Sequence, residues 1–240
     1  MTALNTSSIR TLSSDAPNRT RSNAGAERHL QIGAAIDLSG LGGKRHLDVG
    51  CDTGDFALTA AQMWGTIPTG VDVAHRPAQE AARRRVDAHC CSLEDAPAHL
   101  TDLSVLTAID VVEHIVEPQR FMAEVKRRLM PGGVAYIETP NVASHIYSIG
   151  RMLLRATGGR PRFVFTRLFP PEHVQYFSRV GLEAIAKDAG LDVISLDTRS
   201  IPISDIGASL AVCVATAGIQ ALDWAAGSAV LLCMVARRPS

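Results

Sequence analysis

Leu47-Asp48-Val49-Gly50-Cys51-Asp52-Thr53-Gly54-Asp55-Phe56 decides the fold. His46 to Val49 reads as a short buried strand. Gly50 and Gly54 bracket a sharp turn, where the backbone bends tightly or lies against a ligand. From Phe56 the apolar residues Phe56, Ala57, Ala60, Ala61 and Met63-Trp64 recur at three- and four-residue spacing, a helical pattern. A glycine turn between strand and helix leaves backbone N–H groups at the positive end of the helix dipole, a site for an anionic group. The next apolar run, Pro68 to Val73, carries Asp72 near its carboxyl end. An acidic residue about twenty positions after such a turn is where nucleoside-binding α/β folds hold ribose hydroxyls.

The run Leu47–Phe56 resembles motif I of the class I S-adenosylmethionine-dependent methyltransferases, and Gly70-Val71-Asp72 resembles their motif II. The glycine spacing differs from the Gly-x-Gly-x-x-Gly of dinucleotide enzymes, which disfavours a nucleotide-linked dehydrogenase. Asp52 stands where the family usually has its middle glycine, and its carboxylate would repel the methionine carboxylate unless the side chain turns away. Leu129-Met130-Pro131-Gly132-Gly133 resembles the family's Leu-Lys-Pro-Gly-Gly turn, at the usual distance from motif I. The resemblance covers about Lys44 to Leu196. It implies cofactor contacts at Asp48, Gly50, Cys51, Asp52, Gly54, Asp72, Val73, Ser92, Leu93, Glu94 and Ile109, with Ser92 in the place of a frequent adenine-binding aspartate. The fold expected is a Rossmann-like doubly wound α/β sheet. It has seven mostly parallel strands, an antiparallel edge strand and helices on both faces.

Composition agrees with a single α/β domain. The 240 residues suffice for a full core, and 24 Lys and Arg balance 24 Asp and Glu. Without net basicity no nucleic-acid partner is expected, and Arg83-Arg84-Arg85 reads as a solvated helix end. The five cysteines (Cys51, Cys90, Cys91, Cys213 and Cys233) are scattered and mostly within apolar runs. They suit reduced thiols of a cytoplasmic protein better than a disulfide framework. No apolar run follows the first basic residue, so a signal peptide is not expected.

Residues 1–25 are rich in Ser, Thr, Asn and Arg and read as a disordered tail, with the catalytic domain over 26–240. Ala26 to Leu38 reads as a helix that could cover the cofactor. Further strands are expected at Val86–Cys91, Asp102–Ile109, Val134–Glu138 and Leu191–Leu196. Helices are expected at Phe121–Leu129 and at Arg179–Ala189, the latter capped by Ser178. Residues 141–171 mix apolar and basic residues without a clean period and read as a lid over the active site. The apolar run Ile206–Ala236 carries only Asp223. It divides better into a helix around Ser209–Trp224 and a strand Ala229–Val235 than into a membrane span, so membrane association is less favoured.

The polar candidates gather after the fourth strand. His114, His145 and His173 are candidate bases for a hydroxyl acceptor, and Pro171-Glu172-His173-Val174-Gln175-Tyr176-Phe177-Ser178 resembles a His-x-x-x-Phe-Ser segment of one family branch. Asp110-x-x-Glu113-His114 resembles the Glu-x-x-Glu-His metal ligands of the ubiquinone-pathway O-methyltransferases. A divalent metal there, Mg2+ in the first instance, would bind a catechol-like oxygen pair and lower its proton affinity. The other reading is that Glu113-His114 orders the loop below the cofactor. The function expected is methyl transfer from S-adenosylmethionine to a small-molecule hydroxyl, with quinone precursors, sugars and other secondary metabolites as fitting acceptors. A homodimer is compatible with this reading. The rival readings are a lipid-linked acceptor at a membrane and a degenerate fold that acts through a partner.

Overall fold

The computed structural model describes residues 28, 32–33, 36, 45–160, 162–201 and 210–240. The expected tail at 1–25 lies outside the described residues, as does most of the expected helix Ala26–Leu38, of which Arg28, Ile32 and Gly33 are helical.

Seven strands form one sheet: β1 (His46–Val49), β2 (Thr69–Asp72), β3 (Asp87–Cys90), β4 (Leu103–Ile109), β5 (Leu129–Pro140), β6 (Asp192–Arg199) and β7 (Leu231–Arg237), in the order β3-β2-β1-β4-β5-β7-β6. Strands β1 to β5 pair in parallel. The reversed strand is β7, antiparallel to both β5 and β6 and therefore one place in from the edge. Among the described residues the sheet is accompanied by helices α1 (Asp55–Trp64), α2 (His75–Arg83), α3 (Pro118–Arg128), α4 (His145–Thr157), α5 (Arg162–Leu168), α6 (Arg179–Asp188) and α7 (Leu210–Ala225). The Pro131-Gly132-Gly133 turn is absorbed into the start of β5 rather than standing before it. Ser178 caps α6 as expected, its hydroxyl accepting from the Gly181 N–H at 3.2 Å.

Period-two alternation sorts the strands onto two faces. Leu47, Val49, Leu106, Ala108, Ala135, Ile137, Leu232 and Met234 point to the larger core, against Phe121, Met122 and Val125 of α3 and Leu182 and Ile185 of α6. Val105, Val134, Tyr136 and Val235 point to the other face, against Ile32, Ile36, Phe56 and Trp64. Each buried large side chain contributes about 1.5–3 kcal/mol of transfer free energy, so both layers are held chiefly by apolar burial. The consequence for function is directional: β1 to β5 all end on one side of the sheet, where an open α/β fold binds its ligand. Among the described residues no helix is long and apolar enough to cross a membrane.

Candidate active site

The turn after β1 is shaped by packing as much as by any ligand. Gly50 adopts φ 69° and Gly54 φ 79°. A Cβ at Gly50 would lie 2.5 Å from Val111, and one at Gly54 would lie 2.6 Å from Val86. Asp52 is also left-handed at φ 45°, which explains why glycine suits this position. Its side chain is exposed and its N–H donates to Asp72 Oδ2 at 2.9 Å, while the Ala74 N–H donates to Asp72 Oδ1 at 2.7 Å. The acidic residue that ends β2 is thus oriented by two backbone donors, and each oxygen keeps a further lone pair for a ligand. Val73 beside it is 59% exposed, an apolar surface at the mouth of the site.

Arg84 corrects the reading of Arg83-Arg84-Arg85 as a solvated helix end. Its guanidinium donates to the Thr53 carbonyl at 2.8 Å and pairs with Asp55 at 2.6 Å, so it ties the end of α2 to the glycine turn. Asp48 and Cys51 are buried and hold the turn from below. Thr107 donates to Asp48 Oδ1 at 2.7 Å, and His46 Nε2 lies 2.8 Å from Thr107 Oγ1. With its own hydrogen on Asp48, the Thr107 hydroxyl accepts from His46, which fixes the Nε2–H tautomer. Burial pushes Asp48 up to about 7, His46 down to about 3 and the Cys51 thiol up to about 12.

The loop after β3 carries Ser92, Leu93 and Glu94. Ser92 donates to Asp95 Oδ2 at 2.9 Å and accepts from the Asp95 N–H at 3.2 Å, so its hydroxyl orders the loop. Leu93 turns its side chain into the core, and Glu94 is half-buried. Arg128, 1% exposed, donates to the carbonyls of Ala96, Pro97 and Leu100 and fastens this loop to α3. Ile109, at the end of β4, is half-buried against the α1 face.

Beyond Ile109 the chain enters a short 3-10 turn, Val112–His114, that starts beneath the glycine turn through the Val111–Gly50 contact. The N–H groups of Val174 and Gln175 donate to the Glu113 carbonyl at 3.0 and 3.1 Å, and the Gln175 amide donates to the carbonyls of Ile115 and Val116. This seam brings His173 against His114 with ring centroids 4.8 Å apart and edge to face. Glu113 is 1% exposed. Its Oε2 accepts from Thr139 at 2.8 Å, while its Oε1 is buried without a hydrogen-bond partner among the described residues, as is His173 Nδ1. Burial, then the charge of Asp110, pushes Glu113 up to about 7; burial, then His114, lowers His173. Tyr176 lies against His173, and Tyr147 and Phe169 pack on Tyr176, which gives this pole an aromatic wall.

Two expected site residues are not part of this cluster. Asp110 pairs instead with Arg28 at 2.8 Å, because its left-handed backbone (φ 55°) and its N–H bond to the Glu138 carbonyl aim it at the α1 face. Among the described residues the ligand-type atoms that lie within 4.8 Å of one another here are those of Glu113, His114 and His173, without Asp110. His145 is not among them: its Nδ1 lies 2.8 Å from Asp223 Oδ1, and its N–H donates to the same oxygen at 2.7 Å. That pairing docks α4 on α7 and fixes the Nδ1–H tautomer of His145, outside the cluster of Glu113, His114 and His173.

Comparison with known proteins bears on the family and the fold. A family model described as a methyltransferase domain matches residues 20–196. This chain belongs to the S-adenosylmethionine-dependent methyltransferase family. The ubiquinone biosynthesis O-methyltransferase of Thiobacillus denitrificans is 28% identical over 166 residues, which cover 65% of this chain and 68% of that protein. The first curated relatives are matched over 63% to 68% of their own length. Phosphoethanolamine N-methyltransferase 2 of Haemonchus contortus, solved with S-adenosyl-L-methionine, superposes with a TM-score of 0.62 at 17% identity over 90% of this chain and 53% of that one. The [4+2]-cyclase SpnF superposes at 0.59 and 21% identity, covering 90% and 82% of the two chains. At such identities the likeness is one of fold, and it does not fix the reaction.

Proposed function

We propose that this methyltransferase-family protein transfers the methyl group of S-adenosylmethionine to a hydroxyl oxygen of a small, ring-bearing molecule. The observation that carries the reading is the Val111–Gly50 contact, which sets the glycine turn beside the Glu113–His114–His173 cluster. In this reading a cofactor pole and a proton-handling pole share one edge of the sheet.

The residues present fit the cofactor. The N–H groups at the start of α1 would donate to an anionic group, Asp72 has lone pairs for ribose hydroxyls, Val73 offers an apolar surface for the adenine, and Ser92–Glu94 would line its far side. S-adenosylmethionine supplies an electrophilic methyl on a sulfonium, so the protein contributes mainly orientation and exclusion of water. His114 Nδ1 lies 3.0 Å from the Glu172 carbonyl. A carbonyl only accepts, so the hydrogen is on Nδ1 and the Nε2 lone pair is free to take a hydroxyl proton. Glu113 stabilises the imidazolium that results, and Thr139 holds the carboxylate in place. Tyr176, Tyr147 and Phe169 stack an acceptor ring against the cluster.

Residues 141–171 act as the lid. Met152, Leu153 and Leu154 on α4 are 63%, 43% and 38% exposed, which supports a second reading in which the acceptor carries an apolar tail. The test is calorimetric titration with S-adenosylmethionine and S-adenosylhomocysteine, followed by a screen of phenols and catechols for methylated product by mass spectrometry. Micromolar binding with an O-methylated product is expected. Absence of binding by either ligand overturns the reading in favour of a partner-binding role.

A further inference from the structure

The Glu113–His114–His173 cluster departs from the ligand set that the sequence resemblance implies, and the departure has chemical content. Three lone pairs are unspent there. Glu113 Oε1 is buried with no partner among the described residues, and so is a nitrogen of His173. His114 keeps a free Nε2 because its Nδ1–H is committed to the Glu172 carbonyl. A buried carboxylate oxygen left without a partner costs about 1–3 kcal/mol or more, so such an atom in a folded protein calls for an occupant.

Each donor is also braced from behind. Thr139 holds Glu113 Oε2 at 2.8 Å, and the Glu172 carbonyl holds His114 Nδ1 at 3.0 Å. His173 is fixed by its N–H bond to the Pro170 carbonyl, by the edge contact with His114 and by Tyr176. Metal-ligating imidazoles typically donate their other N–H to a carbonyl or carboxylate, and ligating carboxylates are themselves hydrogen-bonded. The bracing seen here follows that pattern at two of the three donors.

We propose that Glu113, His114 and His173 bind a divalent transition ion of the Zn2+ class, in preference to Mg2+, and that Asp110 is not a ligand. One carboxylate and two imidazoles suit Zn2+, Co2+ or Fe2+, whereas Mg2+ requires oxygen ligands in near-octahedral geometry. Asp110 stands outside the set of ligand atoms that lie within 4.8 Å of one another, and its Oδ2 is paired with Arg28. Three protein ligands leave a coordination position open to an acceptor oxygen. Use of the ion in catalysis rests on the methyl-transfer reading above; binding of the ion does not. With the ion bound, the cluster lowers the proton affinity of the acceptor hydroxyl in place of acting as a base.

The test uses the full chain after removal of metal with a chelator. Zn2+ and Mg2+ are titrated calorimetrically, and Co2+ is added for its visible d–d absorption, whose intensity reports coordination number and geometry. Zn2+ is expected to bind at one per chain, with Mg2+ far weaker. His173→Gln and Glu113→Gln are each expected to weaken Zn2+ by at least about tenfold, while Asp110→Asn leaves it within about twofold. Thermal melting of each variant checks folding, and His114→Gln replaces any variant that fails. Mg2+ binding stronger than Zn2+, loss of binding in Asp110→Asn, or no ion bound at all overturns the proposal. Binding of S-adenosylmethionine, measured on the same metal-free protein, stands or falls separately.

Discussion

The N–H of Asp52, in the turn after β1, donates to the carboxylate of Asp72, at the end of β2, at 2.9 Å. The residue that shapes the anion-binding turn and the residue that would hold the ribose are thus one hydrogen-bonded unit. Asp72→Ala removes the acceptor for both backbone donors and the two lone pairs proposed for ribose hydroxyls. Hydrogen bonds to a charged group contribute about 1.5–3 kcal/mol each, so loss of the two should lower S-adenosylmethionine affinity by at least about 100-fold. Calorimetric titration checks this, and an unchanged dissociation constant would remove Asp72 from the site.

Asp52→Gly acts on the same unit from the other side. A left-handed non-glycine residue is strained by about 1 kcal/mol, and glycine gives back a similar amount through the entropy of the unfolded chain. Stability should therefore stay within about 1 kcal/mol of the parent. Removing a carboxylate from beside an anion site should tighten S-adenosylmethionine binding about three- to tenfold, as one screened like-charge contact near 4 Å is about 1 kcal/mol. Weaker binding in this variant would mean that the Asp52 carboxylate contacts the ligand favourably.

The parts of the chain legible in sequence are those fixed by local pattern. The alternation of β1, β4 and β5, the glycine turn and the Ser178 cap all follow from residues within a few positions of one another. What sequence does not display is convergence between distant elements. His173 reaches His114 because Val174 and Gln175 bond to Glu113, a seam between segments 61 positions apart for Val174 and Glu113. Arg28 pairs with Asp110 from 82 positions away. Neither partner choice has a periodicity or spacing that could announce it, since both depend on which strand ends the sheet order places side by side.

The buried pair His46 and Asp48 makes opposite contributions to the pH dependence of stability. His46 is lowered from 6.5 to about 3 by burial, so the unfolded chain gains a proton that the native one does not, and this contribution to stability is lost as pH falls below 6.5. Asp48 is raised from 3.8 to about 7, so the native chain holds the extra proton, and stability is lost as pH rises from about 4 toward 7. Between about pH 4 and 6.5 the two slopes oppose each other. His46→Leu removes the first and should make stability fall more steeply with rising pH across that window, by up to about 1.4 kcal/mol per pH unit. Urea unfolding at several pH values measures the slope, and an unchanged slope would mean that His46 is not held neutral.

Glu138 offers the sharpest test of the polar layer on the α1 face. It is fully buried at the end of β5, and it accepts from Arg28 Nε at 2.8 Å, from Arg199, from the Tyr136 hydroxyl at 2.7 Å and from the Cys233 thiol at 3.4 Å. One carboxylate therefore joins the chain before β1 to β5, β6 and β7. Removing one partner from a buried ion pair typically costs about 3–5 kcal/mol, because the remaining charge is left uncompensated. Glu138→Ala leaves two guanidinium groups in that position and should reduce the unfolding free energy by about that amount. Glu138→Gln preserves volume and one acceptor oxygen, so its loss should be smaller. Equal losses in the two variants would show that packing, rather than charge, is what Glu138 supplies.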